Sequence, residues 1–448
     1  MHEVELKRRS AGALSSVLPD TQAARFEAAA QQAGRRLEGR TVWNLSSTES
    51  GGGVAEMLHN LLGYFLDAGV RTRWLIVDAG EPFFALTKRL HNAIHGASGG
   101  PFTAADHAEF DEVTARNLAP MTELIRPGDI VMLHDPQTAG LVDGLLEAGA
   151  RVAWRSHIGR DTPDPASAQA WDFLRGYIER ADAFVFSRRQ YAPGWLDRGR
   201  LWLIPPSIDP LSAKNRPLTP SESMTILAEA GLLVDGRMVV QVSRWDRLKD
   251  MPGVMGGFRL ANPPGDVHLT LAGPAVDGVT DDPEGAEVYA ECVRVRAGMP
   301  DGIRDRVHLA SIAMDDIERN ALIVNALQRR ATIVVQKSLA EGFGLTVTEA
   351  MWKAKPLIAS AVGGIQDQIS SEHTGVLLSD PANPAEFAAA LRRLLYNDLA
   401  QARLGRAGRA RVLEHYLDDR QLIQTGDLLE SLAAIPEVQP SAGAGASR

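Results

Sequence analysis

The sequence predicts an α/β protein of two doubly wound, Rossmann-like parallel-sheet domains. Three observations predict it. Short β-branched or aromatic runs recur along the chain, helical periods separate many of them, and the rhythm breaks once, near the middle, into prolines and polar residues. Strands that alternate with helices imply a parallel sheet covered on both faces. A chain of 448 residues also exceeds what one core usually serves.

Taken in order, residues 1–40 read as a helical extension: "TQAARFEAAAQQAGRRL" is alanine-rich, and Asp20 or Thr21 could cap its start. Residues 41–208 form the first expected domain, with strands at "TVWNL", "RTRWLIV", "DIVMLH", "RVAWRSH", "AFVFS" and "LWLIP". Helices such as "GVAEMLHNLLGYFLDAG" and "SAQAWDFLRGYIERAD" lie between them. The stretch "PPSIDPLSAKNRPLTP", 205–220, carries a linker signature. A second series follows in the domain expected over 209–415: "MVVQVS", "VHLTLAG", "RVHLA", "TIVVQ", "PLIAS" and "TGVLL". Residues 416–436 read as a last helix, and the low-complexity end, 437–448, as disordered.

Composition narrows the function. No window holds the roughly 18 uncharged apolar residues of a membrane span. The first residues show no signal-peptide pattern. Cys292 stands alone, so it forms no internal disulfide, and no Cys/His cluster has zinc spacing. A reducing cytoplasm is the expected location. A net charge of -9 argues against a nucleic-acid partner, and the basic runs "LKRRS", "GRR" and "LQRR" read as solvated helix faces.

In open parallel sheets ligands bind beyond the carboxyl ends of the strands, so the loops there are where chemistry is sought. Two domains facing across a cleft would set a donor on one rim and an acceptor on the other. "STESGGGVAEML" joins a strand to a helix, and Gly52 and Gly53 let backbone N–H groups approach an anion or sugar, or simply make a flexible turn. Its spacing is neither the dinucleotide nor the P-loop fingerprint. "VMLHDPQ" ends a strand with His134 and Asp135, and "WRSHIGRD" ends the next with Arg155 and His157. One polar strand end reads as function or as packing; two favour a polar pocket.

In the second half, "QVSRWDRLKDMPG" offers Arg244 and Lys249, a guanidinium fork and a point charge able to neutralise a diphosphate, or a solvated loop. "EGFGLTVTEA" offers Gly342, Phe343 and Gly344, then Leu345 and Thr346 opening a helix with outward N–H groups. Glu341 precedes that helix and Glu349 lies about a turn inside it. Carboxylates accept paired hydroxyl hydrogen bonds well, so one could grip a ribose and the other a sugar. Glu349 could equally serve the helix dipole.

With these residues the sequence resembles the GT-B glycosyltransferases of family GT4, whose E-x7-E element is matched by Glu341 and Glu349 and whose Arg/Lys pair by Arg244 and Lys249. It is most similar to the trehalose glycosyltransferring synthases through "GGGVAEMLHNLL", "FFALTKRLHNAIHG", "HDPQ", "WRSHI", "IPPSIDPLSAKN", "DDPEG", "NALQRRA" and "EGFGLTVTEAMWKAKP", from about residue 42 to 380.

The resemblance implies transfer of glucose, with retention, from an NDP-glucose such as UDP- or ADP-glucose to free glucose, forming trehalose reversibly. Arg244 and Lys249 would meet the diphosphate, the backbone from Gly344 to Thr346 the sugar and phosphate, Glu349 the ribose, and Glu341 and His134 the glucose. Gly52, Gly53, Asp135, Arg155 and His157 are the expected acceptor- or phosphate-binding set. No D-x-D tripeptide occurs, so no metal is expected to be required, with Mg²⁺ acting at most through the nucleotide diphosphate. A homodimer is the family expectation. The chain departs from the pattern after "HI", where Gly159 and Arg160 replace an acidic residue, which opens other acceptors: a sugar phosphate, glycerate or a cyclitol. A nucleotide-sugar-binding regulator without turnover is the reading from another class.

Overall fold

The computed structural model describes residues 1–50, 53–96, 99–276 and 283–436; Gly52 and the tail 437–448 lie outside the described residues. The chain forms two compact units, one joining Met1–Pro206 to the segment from Asp418, the other Ser207–Leu417.

The first unit holds a seven-stranded sheet of β1 (His2–Glu3), β2 (Val42–Ser46), β3 (Thr72–Ile76), β4 (Ile130–His134), β5 (Arg151–Ser156), β6 (Ala183–Phe186) and β7 (Leu201–Leu203), in the order β1-β3-β2-β4-β5-β6-β7. From β2 onward all pairs are parallel. The chain winds outward from β2 to β3 on one side and to β4 on the other, so a topological switch point opens at their carboxyl ends. Burial on both faces explains the strand composition. Trp154 on β5 packs edge-on to Trp171 and Phe186 on one face, while Trp74 on β3 joins Leu58 and Leu62 on the other. Each buried indole also needs an acceptor: Trp154 Nε1 donates to Asp135 O at 3.1 Å and Trp74 Nε1 to Ser46 Oγ at 2.8 Å.

The N-terminal residues correct the sequence reading. The chain begins with β1, antiparallel to β3 and tied there by Arg73 Nε donating to Glu3 Oε1 at 2.7 Å. Two helices follow, Ala11–Ser15 and Asp20–Arg36. Pro19, not Asp20 or Thr21, occupies the cap position, and Asp20 faces the positive end of the dipole from the first turn. The last helix, Asp418–Ala433, packs on Asp20–Arg36, with Gln22 Nε2 donating to Asp419 Oδ2 at 2.8 Å and Gln32 Nε2 to Glu430 Oε2 at 2.7 Å.

The second unit is a six-stranded, all-parallel sheet of β8 (Arg237–Val242), β9 (Val267–Pro274), β10 (Val307–Ile312), β11 (Ile333–Gln336), β12 (Leu357–Ser360) and β13 (Val376–Leu378). Its order, β10-β9-β8-β11-β12-β13, puts the switch point between β8 and β11. Phe258, Phe387 and Leu391 fill the layer where the helices Met251–Ala261 and Pro384–Leu395 meet. Cys292 is buried in the same core, which pushes its thiol up to about 12 and leaves it unreactive.

The proline-rich stretch is not a loose linker. From Ser207 it belongs to the second unit, where Asn325 Nδ2 donates to the carbonyls of Ala213 and Arg216, both at 2.9 Å, and Lys353 Nζ donates to Asn215 Oδ1 at 3.1 Å. Prolines stop the strand-helix rhythm, but buried polar side chains supply the hydrogen bonds that regular structure would have made.

Candidate active site

The loops after β8 and β11 flank the switch point of the second unit and carry the residues the sequence singled out. Leu339 N–H donates to Leu248 O at 2.7 Å, joining the two loops. Lys249 and Glu341, 92 positions apart, meet there: Nζ to Oε2 is 2.8 Å, each side chain 14 % exposed. Ser338 Oγ also donates to Glu341 Oε2 at 3.3 Å. An ammonium has three N–H groups, so two of those on Lys249 remain for an anion. Arg244 is not part of this contact. Its guanidinium is 65 % exposed and pairs with Asp246 at 3.0 Å, an exposed bond worth at most about 1 kcal/mol and therefore easily surrendered to a diphosphate.

Gly344 precedes the helix Leu345–Trp352 at φ 84°, a left-handed conformation that glycine adopts without penalty. The Thr346 hydroxyl donates to Gln336 Oε1 at 3.0 Å, so it anchors the helix to the end of β11 and leaves the backbone N–H groups to face a ligand. Gly344→Ala is expected to cost about 1–2 kcal/mol in stability. Its Cβ would also press on Glu341 Cγ at 3.2 Å, so turnover should fall with it; urea unfolding together with steady-state rates checks both.

Two of the expected donor-binding residues are also engaged inside the protein. The Phe343 ring is buried, 5.8 Å from Tyr416, and its carbonyl accepts from Gln368 Nε2 at 2.6 Å, which leaves no side chain for a ligand. Glu349 is buried at 3 % exposure; Gln328 Nε2 donates to Oε2 at 3.3 Å and Lys214 Nζ lies 3.6 Å from Oε1. It neutralises a lysine from the proline-rich stretch. The helix-dipole reading fails for it, since no acidic residue lies in the first turn.

In the first unit, β2 and β4 flank the switch point and the structure gathers His134, Asp135, Arg155 and His157. His134 Nδ1 is 3.0 Å from His157 Nε2, the rings stacked at 5.3 Å, and His134 Nε2 is 3.2 Å from Asn44 Oδ1. Burial, then Arg155, pushes His134 down to about 3; burial, Arg155 and His134 hold His157 well below the usual imidazole value. Both rings are neutral at pH 7. With both nitrogens engaged and 2 % exposure, His134 is braced between His157 and Asn44. Asp135 stands at φ 62°, strained for a non-glycine residue, and is held by its N–H on Arg155 O at 2.8 Å. Its Oδ1 accepts from His157 N–H at 2.8 Å, and burial lifts its carboxyl to about 6 against that bond and Arg155. Arg155 is buried, its Nη2 donates to Ile204 O at 3.2 Å, and burial and Arg420 bring it down to about 10. Gly53 opens the helix Gly53–Asp67 after β2.

The departure at Gly159 has a steric cause: a Cβ there would lie 2.2 Å from Tyr191 Cγ. Arg160 turns to Asp164, the cap of the helix Pro165–Ile178.

Sequence reasoning missed the supports. Asn44 braces His134. Gln241 Nε2 donates to Lys249 O at 2.8 Å while its Oε1 accepts from Lys337 N at 3.1 Å. Fully buried Lys337 pairs with Asp250, which caps the helix Met251–Ala261. The available signal was a lone polar residue inside an apolar strand run, as in "TVWNL", "MVVQVS" and "TIVVQ".

Two Rossmann-like units, with a paired cation and carboxylate at the switch point of the second, define a GT-B glycosyltransferase. The fold is similar to the UDP-forming α,α-trehalose-phosphate synthase of Burkholderia vietnamiensis, with a TM-score of 0.64 at 17% identity over 89% of this chain and 98% of that one. Residues 44–193 match the family described as "Trehalose synthase, N-terminal domain", and 319–411 the family "Glycosyl transferases group 1". The chain is 39% identical to a trehalose synthase of Rubrobacter xylanophilus over 88% of its length and 90% of the relative's, and 34% identical to one of Thermococcus litoralis over 88% and 91%. It belongs to the trehalose synthase family of glycosyltransferases. No helix among the described residues is long and apolar enough to cross a membrane.

Proposed function

We propose that this glycosyltransferase moves glucose from a nucleoside diphosphate glucose to free glucose, forming α,α-trehalose reversibly and with retention. The observation that carries the reading is the Lys249–Glu341 pair at the switch point, in a chain 39% identical to a trehalose synthase. The donor is UDP- or ADP-glucose. Lys249, joined by Arg244, meets the diphosphate, with the backbone from Gly342 to Thr346 beside it; Glu341 meets the donor glucose, and Glu349 the ribose beside Lys214. Asp135, His157, Arg155, Gly52 and Gly53 are the residues proposed to bind the acceptor or its phosphate.

The reaction is a front-face displacement. The acceptor hydroxyl oxygen bonds to the donor anomeric carbon as the bond to the diphosphate breaks, and a departing phosphate oxygen takes the hydroxyl proton. Lys249 stabilises the leaving charge. The alternative is double displacement with Glu341 as nucleophile, which trapping a glycosyl-Glu341 adduct would support.

Incubating the protein with UDP-, ADP- and GDP-glucose against a panel of acceptors, with product followed by mass, tests the reading. A non-reducing disaccharide from glucose is the expected product; its absence with every donor sinks the proposal. Product from a sugar phosphate or cyclitol alone would favour the second acceptor reading, which the Gly159 departure supports. Activity is expected to persist in chelator, with Mg²⁺ acting through the nucleotide diphosphate. The enzyme is proposed to work in the cytoplasm as a homodimer, which light scattering checks.

A further inference from the structure

The basic run "LQRR" is not the solvated helix face its sequence suggests. Arg329 and Arg330 end the helix Ile317–Arg330 at the amino ends of β8, β11 and β12, the edge of the sheet away from the switch point. Strand β11, 4 residues long, puts roughly 13 Å between this edge and the loops holding Lys249 and Glu341.

Arg329 is partly buried. Its Nε donates to Asn325 Oδ1 at 2.9 Å and its Nη2 to the carbonyls of Asn215 and Arg216 at 3.1 and 2.9 Å. Arg330 Nη2 donates to Gly236 O at 2.9 Å. Lys355, just before β12, is part-buried, its backbone N–H takes Ala350 O at 3.1 Å, and its ammonium has no hydrogen-bond or ion-pair partner among the described residues. Arg409 lies 4.7 Å above the ring of Trp352, and Arg216 and Arg409 act electrostatically on Arg329.

Every partner in this cluster is a carbonyl, an amide or an aromatic ring. Arg329 and Arg330 thereby meet hydrogen bonds without meeting a counter-charge, and Glu222, on which Arg216 acts, forms no ion pair with it. No carboxylate among the described residues pairs with any of the five cations, although the whole chain carries -9. Burial, and after it Arg329 and Arg330, pushes Lys355 down to about 8, and burial, Arg409 and Arg216 hold Arg329 below its usual value. A dianion would relieve what neutral acceptors cannot.

We propose that Arg216, Arg329, Arg330, Lys355 and Arg409 form a second anion site, separate from the diphosphate loops, which takes a phosphate dianion, inorganic or carried by a small metabolite.

Isothermal titration of the full chain with inorganic phosphate, and separately with a hexose 6-phosphate, tests it. Ionic strength is held with chloride, and saturating nucleoside diphosphate fills the catalytic loops. Saturable binding is expected, weakened about 10-fold or more in Lys355→Met and in Arg409→Gln and unchanged in Lys249→Met. Phosphate should raise the melting temperature of the wild type more than that of Lys355→Met. Equal binding of the two probes assigns the site to phosphate itself, and tighter hexose phosphate binding assigns it to a metabolite. No saturable heat, or equal affinity in the wild type and both cluster variants, overturns the proposal. Arg409 is exposed, so its variant keeps the test valid if Lys355→Met fails to fold.

Discussion

Lys249→Met is expected to slow glucosyl transfer on the order of 10²–10³-fold in kcat, with a much smaller change in the KM for the acceptor. The loss would fall on kcat because the diphosphate gains charge as the anomeric bond breaks, and Lys249 is the cation proposed to meet that charge. Its carbonyl accepts from Gln241 at 2.8 Å and its ammonium donates to Glu341 at 2.8 Å, so little reorganisation is needed at the moment of reaction. The substitution also strips a part-buried carboxylate of its cation, and the melting temperature should fall too. Arg244→Gln makes the contrast. Its guanidinium is 65 % exposed and must be recruited by the ligand, so a loss of about 10-fold is expected. Initial rates with a fixed NDP-glucose decide the matter; a Lys249→Met enzyme within fivefold of the wild type would remove that lysine from the chemistry.

Asp135→Asn is expected to lower kcat/KM for the acceptor about 10- to 100-fold, the worth of one or two hydrogen bonds to a charged group, with the donor KM nearly unchanged. The variant should also lose a limb of the pH profile. In the wild type the Asp135 carboxyl is lifted to about 6, so activity should fall as pH drops through 6, and the Asn enzyme should be flat there.

Stability carries separate signs for the neighbouring groups. The folded pKa of Asp135 is raised above 3.8, so its contribution favours folding at low pH and is lost as pH rises through 6. The folded pKa of His134 is depressed from 6.5 to about 3, so its contribution is present above 6.5 and is lost as pH falls from there toward 3. Between pH 4 and 6 the two oppose each other. His134→Gln should therefore flatten the acid destabilisation without moving the activity limb near 6; a shift of that limb in His134→Gln would assign it to the imidazole and not to Asp135.

Strand positions were legible because parallel strands buried on both faces are written as short unbroken apolar runs, as in "AFVFS" and "TIVVQ". The candidate site was legible in the same way, since a polar residue at the end of such a run, His134 or the pair Arg155 and His157, stands at the carboxyl edge of the sheet. Edge strand β1 was not, because two residues of "HE" carry no periodicity and pair only through backbone and the Arg73–Glu3 bond. The proline-rich stretch was read as a linker for a related reason: its order comes from Asn325 and Lys353, more than 100 positions later, and no local pattern announces them.

By itself the sequence determined two parallel-sheet domains, the loops that carry chemistry, and the family. The first two are consequences of local rules, side-chain period and turn residues; the family came from a resemblance carried by motifs such as that holding Glu341 and Glu349. Only tertiary structure decided which charges meet. It joined Lys249 to Glu341, gave Glu349 to Lys214, occupied both nitrogens of His134, and gathered Lys355 with four arginines without an ion-paired carboxylate. Charge compensation depends on distance in space and on exclusion of water, and neither is a function of separation along the chain.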